Sequence, residues 1–410
     1  MVSPLEFSYP STLVGKYINM KILHLIPSIA PVRGGPSQAI IQMVHALSYQ
    51  GVEVEIATTN DNGSELLNVP LNQRTIYQDV PVWFFPRFSP PVASIRDFSF
   101  CDQLTIWLWQ HLLEYDLLHV HAIFSYPSTA AMAIARLRGI PYINRPLGQL
   151  GTWSLQQGDR KKKTYLTLIE RTNLNRSQAL HLTSSQEEEE LSQLNFKAPS
   201  FILPHGLSLP TPIPNARHQL RQHLNLPEDE PIILFMSRLH SKKGLDYLIP
   251  ALGKLSHKRF NFILAGNGSP EYEAQIDKHI TAAGMRDRTY CPGFVSGEMK
   301  NLFLQGSDLF ALTSHSENFG IAVLEAMAAG LPVLATPGIA LASIVKQHQL
   351  GYVTELDVPG IATAIEHHLN HPQQAKAMGD RARQLILEQY TWDKMAAKLS
   401  ATYEAILLKQ

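Results

Sequence analysis

Residues 308–335 read DLFALTSHSENFGIAVLEAMAAGLPVLA. The run 308–312 is short and apolar, a polar loop follows, 320–330 repeats apolar residues at helical spacing, and 332–335 is again short and apolar. Strand, helix and strand at this spacing predict a βαβ unit whose two strands lie parallel, joined by a right-handed crossover. From Gly320 onward the helix is apolar on every side except at Glu325, so it is expected to be buried. A buried carboxylate is costly without hydrogen-bond donors or a cation, so Glu325 needs a partner: a core Arg or Lys, or a ligand.

The same alternation runs through most of the 410 residues. KILHLIP at 21–27 reads as a strand that stops at a turn holding Gly34, Gly35 and Pro36, ahead of a helix over 37–50. Strands at 52–58, 81–85, 116–121, 140–144 and 179–183 follow, with helices near 101–114, 127–138, 160–176 and 185–194. Pro204, Pro210, Pro212, Pro214 and Pro227, around one polar helix candidate at 215–224, mark a linker. Beyond it, strands at 231–236, 260–265, 289–291, 308–312 and 332–335 alternate with helices at 245–256, 271–283, 297–305 and 320–330. The fold class is therefore α/β, with two doubly wound, Rossmann-like domains over 21–205 and 206–390, a 1–20 extension before them and a helix over 391–410 after them. Two such domains in tandem are expected to set the carboxyl ends of their sheets across a central cleft, where open α/β sheets bind ligands.

With 45% hydrophobic and 17% charged residues the composition is that of a soluble globular chain, which excludes disordered and collagenous classes. Lys plus Arg and Asp plus Glu both total 35, with 16 of each sign up to His205 and 19 of each after it, so no domain carries the basic excess of a nucleic-acid binder. Cys101 and Cys291 match no metal or redox spacing and suit a reducing compartment. The first 20 residues lack the features of a signal peptide, and no apolar run reaches the ~18 residues of a membrane span. A cytoplasmic location is expected. Met20 stands directly before the first strand, so residues 1–19 read as an extension or as lying upstream of the true start.

Glu317 lies just before the 320–330 helix, whose start offers the amides of Asn318, Phe319 and Gly320 to a phosphate or a polar sugar. Glu325 sits roughly 7–8 Å further along at 1.5 Å per residue, so two carboxylates could grip opposite ends of an extended ligand. Arg238 and Lys243 follow strand 231–236 in FMSRLHSKKGLDYLI, at the edge where ligands gather. Each cation about 4 Å from a diphosphate would contribute up to ~4 kcal/mol at an effective dielectric near 20. Gly34 and Gly35 allow a ligand close to the first strand-to-helix turn, whereas Gly268 in GNGSPE does not complete GxGxxG and reads as a tight turn. His119 and His121 end the strand DLLHVHA on one face, with His121 the more exposed; no acidic or Cys cluster accompanies them, so no metal site is assigned. The EEEE run at 187–190 reads as acids in a helix's first turn. GxxxxGK[ST], GxSxG and DxD are all absent, so phosphate binding must rest on helix ends and on Arg or Lys.

Together, SRLHSKKGLDYLI, LAGNG, PGFV, SENFGIAVLEAMAAGLPVLAT and the amino-terminal GGP loop resemble the retaining glycosyltransferases of family 4, the group 1 glycosyltransferases. The resemblance spans about 21–408 and is most specific at Glu317 and Glu325, two glutamates separated by seven residues. It implies a GT-B architecture and a nucleoside-diphosphate sugar as donor substrate, with no cofactor and no metal. It also implies that Arg238 and Lys243 bind the diphosphate, Glu325 the ribose hydroxyls, and Glu317 with the following amides the transferred sugar. Gly268 and Phe294 would line the donor site, His121 would contact the donor sugar, and the terminal helix would return to the amino-terminal domain. Relatives often carry RPHG where this chain has Arg145-Pro146-Leu147-Gly148, which leaves the acceptor side unassigned.

The activity implied is transfer of a sugar to an acceptor hydroxyl with retention, in polysaccharide or glycolipid assembly. Two other readings stay open: a nucleotide-sugar 2-epimerase of the same architecture, and a non-enzymatic two-lobed sugar-binding protein. The basic run Arg160, Lys161, Lys162 and Lys163, with the amphipathic stretch to Arg176, reads either as a solvated helix face or as peripheral contact with anionic lipid and a lipid-linked acceptor. The oligomeric state is not encoded in any feature of the sequence.

Overall fold

The computed structural model describes residues 20–156 and 159–409, so the expected extension over 1–19 lies outside them. Met20 does not belong to that extension: its side chain is buried in the core that surrounds the first strand. The chain divides into two compact units, Met1–Gly206 with Trp392–Gln410, and Leu207–Thr391.

The first unit is built on an eight-stranded sheet in the order Ser200–Ile202, Ala179–Leu182, Tyr142–Arg145, Leu117–His121, Lys21–Leu25, Glu53–Thr59, Val80–Phe85, Arg74–Tyr77. All neighbours are parallel except the last pair. Every residue of Leu117–His121 is buried, as expected of a central parallel strand covered on both faces. Helix Tyr126–Arg138 shows why these elements begin and end where they do. Ser125 accepts from the Ser128 amide, Pro127 occupies the first turn, and Gly139 closes the helix in the left-handed region at φ 73°. The terminal helix Trp392–Leu407 packs on helix Gly35–Tyr49, with Met395, Ala396, Leu399, Tyr403 and Ile406 in the same core as the first strand.

The second unit has a six-stranded, fully parallel sheet in the order Thr289–Gly293, Asn261–Ala265, Ile232–Met236, Leu309–Leu312, Val333–Ala335, Gly351–Val353. The two strands read from 308–335 pair directly, Phe310 with Val333 and Leu312 with Ala335, and helix Ile321–Ala328 is their crossover.

Several elements carry no clear pattern in the sequence. Strand Arg74–Tyr77 turns into Val80–Phe85 through Gln78 and Asp79, both at positive φ (46° and 63°), so a tight hairpin forms without its usual glycine. Strands Ser200–Ile202 and Gly351–Val353 are too short for alternation to show. The helix expected over 160–176 is instead Asp159–Tyr165, a π-helical turn over Leu166–Glu170, and Arg171–Asn175. Glu170 in that turn is buried and accepts hydrogen bonds from Thr129 Oγ1 and Asn173 Nδ2, partners a solvated helix face would not offer. Burial pushes its carboxyl up from the ordinary range.

Candidate active site

In the second unit the chain leaves each strand at the same edge of the parallel sheet, and two of the loops there form the site. Gly244 sits in the left-handed region (φ 65°), and a Cβ there would lie 2.0 Å from the Thr313 carbonyl. Only glycine permits that approach. Thr313 Oγ1 donates to the Gly244 carbonyl at 3.0 Å, and the His315 amide donates to the Lys242 carbonyl at 2.8 Å. The SKKG turn is thereby fixed against the loop that leads to Glu317.

The Lys243 ammonium donates to Glu317 Oε1 at 2.5 Å, and Ser314 Oγ donates to the same oxygen at 2.9 Å. Both members of the ion pair are largely shielded, with side chains 13% and 17% exposed. The Glu317 backbone is pinned as well, its amide donating to the Gly338 carbonyl and its carbonyl accepting from Ala340. Helix Ile321–Ala328 begins two residues beyond Phe319, capped by Gly320 at φ 90°.

Glu325 differs from the sequence expectation. It is only partly buried, and Lys300 Nζ donates to its Oε1 at 2.6 Å from the neighbouring helix Gly297–Gly306. The helix is therefore not enclosed on all sides, and the partner that Glu325 requires is supplied by a lysine itself about one-third exposed. Oε2 has no hydrogen-bond partner among the described residues.

Arg238 is exposed and makes no ion pair among the described residues, unlike Lys243. Gly268 serves packing: a Cβ there would lie 2.6 Å from the Leu239 carbonyl, and its amide donates to Glu273 Oε1. Phe294, just beyond strand Thr289–Gly293, is 73% exposed. Asn318 is partly buried and Phe319 is buried beside it.

In the first unit Gly34 (φ 80°) caps helix Gly35–Tyr49 with open space where a side chain would be. Arg33 beside it forks onto Asp61, donating through Nε at 2.7 Å and Nη2 at 2.8 Å, and the buried Arg87 also donates to Asp61. The two guanidiniums hold the Asp61 carboxyl below the usual range against the opposing effect of burial. No spacing in the sequence marks this cluster.

His121 is buried, not the exposed member of its pair, and it stacks on His119 with ring centroids 4.3 Å apart. His24, invisible as a candidate because its strand reads as plain core, lies beside both. One nitrogen from each of these three imidazoles falls within 4.8 Å of the others, a spacing a metal ion could use. The same imidazoles hydrogen-bond one another and Tyr403: His24 Nδ1 to His121 Nε2 at 3.0 Å, Tyr403 Oη to His119 Nδ1 at 2.6 Å and to His24 Nε2 at 3.3 Å. Burial, with the Arg145 guanidinium close by, lowers the His24 imidazole to about 3 and holds His119, His121 and His181 well below the ordinary range.

Glu187 is more than a first-turn acid. It is buried, accepts from the Thr183 amide and hydroxyl, and accepts from the Gly148 amide at 2.9 Å, so it fixes the Arg145-Pro146-Leu147-Gly148 turn. Leu147 stands in that turn at φ 55°.

Two doubly wound α/β units, each with a mainly parallel sheet and with charged loops at the carboxyl edge of the second, define a protein of the GT-B class. The comparisons agree. Over 95% of this chain and 100% of the other, it superposes on the sucrose-phosphate synthase of Thermosynechococcus elongatus with TM-score 0.78 at 21% identity. Over 94% and 100%, it superposes on Anabaena HepE in complex with UDP and glucose with TM-score 0.74 at 19% identity. The D-inositol 3-phosphate glycosyltransferase of Xylanimonas cellulosilytica is 26% identical, covering 95% of this chain and 96% of its own. The family model for glycosyl transferases group 1 matches residues 216–385, and that for the glycosyl transferase 4-like domain matches 34–206. The chain belongs to the group 1 glycosyltransferases and is a glycosyltransferase.

Proposed function

We propose that this enzyme moves a sugar from a nucleoside-diphosphate sugar to an acceptor hydroxyl with retention of anomeric configuration and without a metal ion. The observation that carries the reading is the Lys243–Glu317 pair, held by two interlocked loops at the carboxyl edge of a parallel sheet and at the start of a helix. Such an edge is where a phosphate meets cationic side chains and helix amides. Lys243 and Arg238 neutralise the diphosphate, and so stabilise it as it leaves. Glu317, already an acceptor for an ammonium and a hydroxyl, positions the sugar rather than attacking it. Glu325 takes the ribose hydroxyls through Oε2. The acceptor hydroxyl attacks from the face the diphosphate leaves, and a phosphate oxygen of the leaving group receives its proton. In the second unit Gly268, Phe294 and residues 318–320 shape the donor-binding surface; in the first, Gly34 and Gly35 leave room for a ligand and His121 hydrogen-bonds a sugar hydroxyl.

The complex of Anabaena HepE with UDP and glucose supports a nucleoside diphosphate as the donor's handle. The setting we infer is cytoplasmic assembly of a polysaccharide or glycolipid. Among the described residues no helix is long and apolar enough to cross a membrane. Arg160, Lys161 and Lys163 on helix Asp159–Tyr165 are exposed, as is Leu168 after it, which suits reversible contact with an anionic lipid surface.

A thermal-shift screen against UDP-, GDP- and ADP-sugars tests the donor, since a ligand bound only by the folded chain raises its melting temperature. One nucleotide class should stabilise, and turnover should persist in EDTA with the product anomer matching the donor's. No stabilisation by any nucleotide sugar would remove the proposal, and loss of turnover in EDTA would remove its metal-free form.

A further inference from the structure

Four buried histidines and one tyrosine of the first unit form a single hydrogen-bonded chain. His181 Nε2 meets the Leu203 carbonyl at 2.9 Å, and His181 Nδ1 meets His119 Nε2 at 3.3 Å. His119 Nδ1 meets the Tyr403 hydroxyl at 2.6 Å, the hydroxyl meets His24 Nε2 at 3.3 Å, and His24 Nδ1 meets His121 Nε2 at 3.0 Å. The histidines come from three strands and the tyrosine from the terminal helix, and all are enclosed.

One end of this chain is fixed by chemistry, because a backbone carbonyl can only accept. His181 must therefore carry its proton on Nε2. A neutral imidazole has one donor nitrogen and one acceptor nitrogen, so each assignment forces the next. His181 Nδ1 accepts from His119 Nε2–H; His119 Nδ1 accepts from the Tyr403 hydroxyl; the Tyr403 oxygen accepts from His24 Nε2–H; His24 Nδ1 accepts from His121 Nε2–H. Every link is satisfied in one direction only. His121 is left with a bare Nδ1, an acceptor without a hydrogen-bond partner among the described residues. The premise of neutrality is met, since burial and Arg145 depress all four imidazoles and burial raises the Tyr403 phenol.

We propose that Tyr403 is a positioning residue for glycosyl transfer: through His24 it locks His121 in the Nε2–H tautomer, so that Nδ1 can only accept a hydrogen bond from a substrate hydroxyl. The inference rests on the reading of His121 as a sugar contact. It makes a residue of the terminal helix part of sugar recognition, and it makes His121 selective for a group that donates. A tautomer fixed in advance spares the site the cost of reordering the imidazole when the sugar binds.

The test is nitrogen NMR of the full chain labelled with 15N-histidine, with His121 assigned by its loss in His121→Ala. In the unsubstituted protein the His121 Nε2 should appear protonated and Nδ1 bare. In Tyr403→Phe the link between His119 and His24 is cut, so His121 should populate both tautomers and kcat/KM should fall about tenfold, the scale of one hydrogen bond. His181→Asn, which disturbs the anchored end, provides a second variant with the same expected spectral change should Tyr403→Phe not fold. A protonated Nδ1 in the unsubstituted protein, or a His121 signal unchanged in the variants, overturns the relay. Full turnover in His121→Ala beside the expected spectrum overturns instead the sugar contact on which the inference rests.

Discussion

Lys243 Nζ lies 2.5 Å from Glu317 Oε1, across 74 residues of sequence, and joins the turn after one strand to the loop before the crossover helix of another. Lys243→Ala leaves a shielded carboxylate with the Ser314 hydroxyl as its one remaining side-chain donor among the described residues, an uncompensated charge of the kind that costs about 1–2 kcal/mol or more. It also removes one cation from the diphosphate. Donor turnover should fall by about a hundredfold or more while the far-ultraviolet circular dichroism is retained. Near-normal turnover in Lys243→Ala would show that the pair is only structural.

Glu325 and Lys300 separate structure from binding at a second point. Glu325→Ala should abolish donor turnover with the fold intact, because both carboxylate oxygens go. Lys300→Met removes the cation but keeps the carboxylate, so its kcat/KM should fall by less than about tenfold, the range of one partly exposed ion pair. Equal losses in the two variants, measured as kcat/KM for donor, would contradict the assignment of Oε2 to the ribose.

Gly244→Ala adds a Cβ 2.0 Å from the Thr313 carbonyl, at a φ that L side chains seldom adopt. The turn must shift, at a cost of about 1–3 kcal/mol. Since Lys243 precedes it, the urea midpoint and the turnover should drop together, and a variant with unchanged turnover would mean that the turn does not need this geometry.

The buried imidazoles make stability depend on pH. Their folded-state pKa values lie below the ordinary 6.5, with His24 at about 3 and His119, His121, His181 and His205 far below the ordinary value. The unfolded chain therefore binds more protons, so their contribution is complete above pH 6.5 and is lost as the pH falls through that value toward the folded pKa. Each neutral imidazole costs about 1.4 kcal/mol per pH unit below it. Urea titrations at pH 8, 7, 6 and 5 should show little change over the first step and a steep decline over the last. A flat profile between pH 7 and 5 would mean that the imidazoles are not held neutral.

Much of the architecture was legible because periodicity is local. KILHLIP, DLLHVHA and the 308–335 stretch announce buried parallel strands through their own apolar content. The glutamates and the SKKG turn were legible as chemistry, since charged residues beside a strand end and a glycine carry a specific pattern. The π-helical turn at Leu166–Glu170, the Gln78-Asp79 hairpin and the Arg33–Asp61–Arg87 cluster were not. Each depends on what lies opposite, and no nearby residue records it.

The sequence by itself determined that this protein is α/β, that it is built from two doubly wound units, and which loops carry acid and base. Tertiary structure alone decided the pairings: Lys300 for Glu325, 25 residues away, and Tyr403 for His119, 284 residues away. The physical reason lies in range. Helix and strand preferences act over a few neighbouring residues, whereas the partner of a buried polar group is set by which strands and helices become neighbours in the folded chain, and so by the packing of the entire sheet.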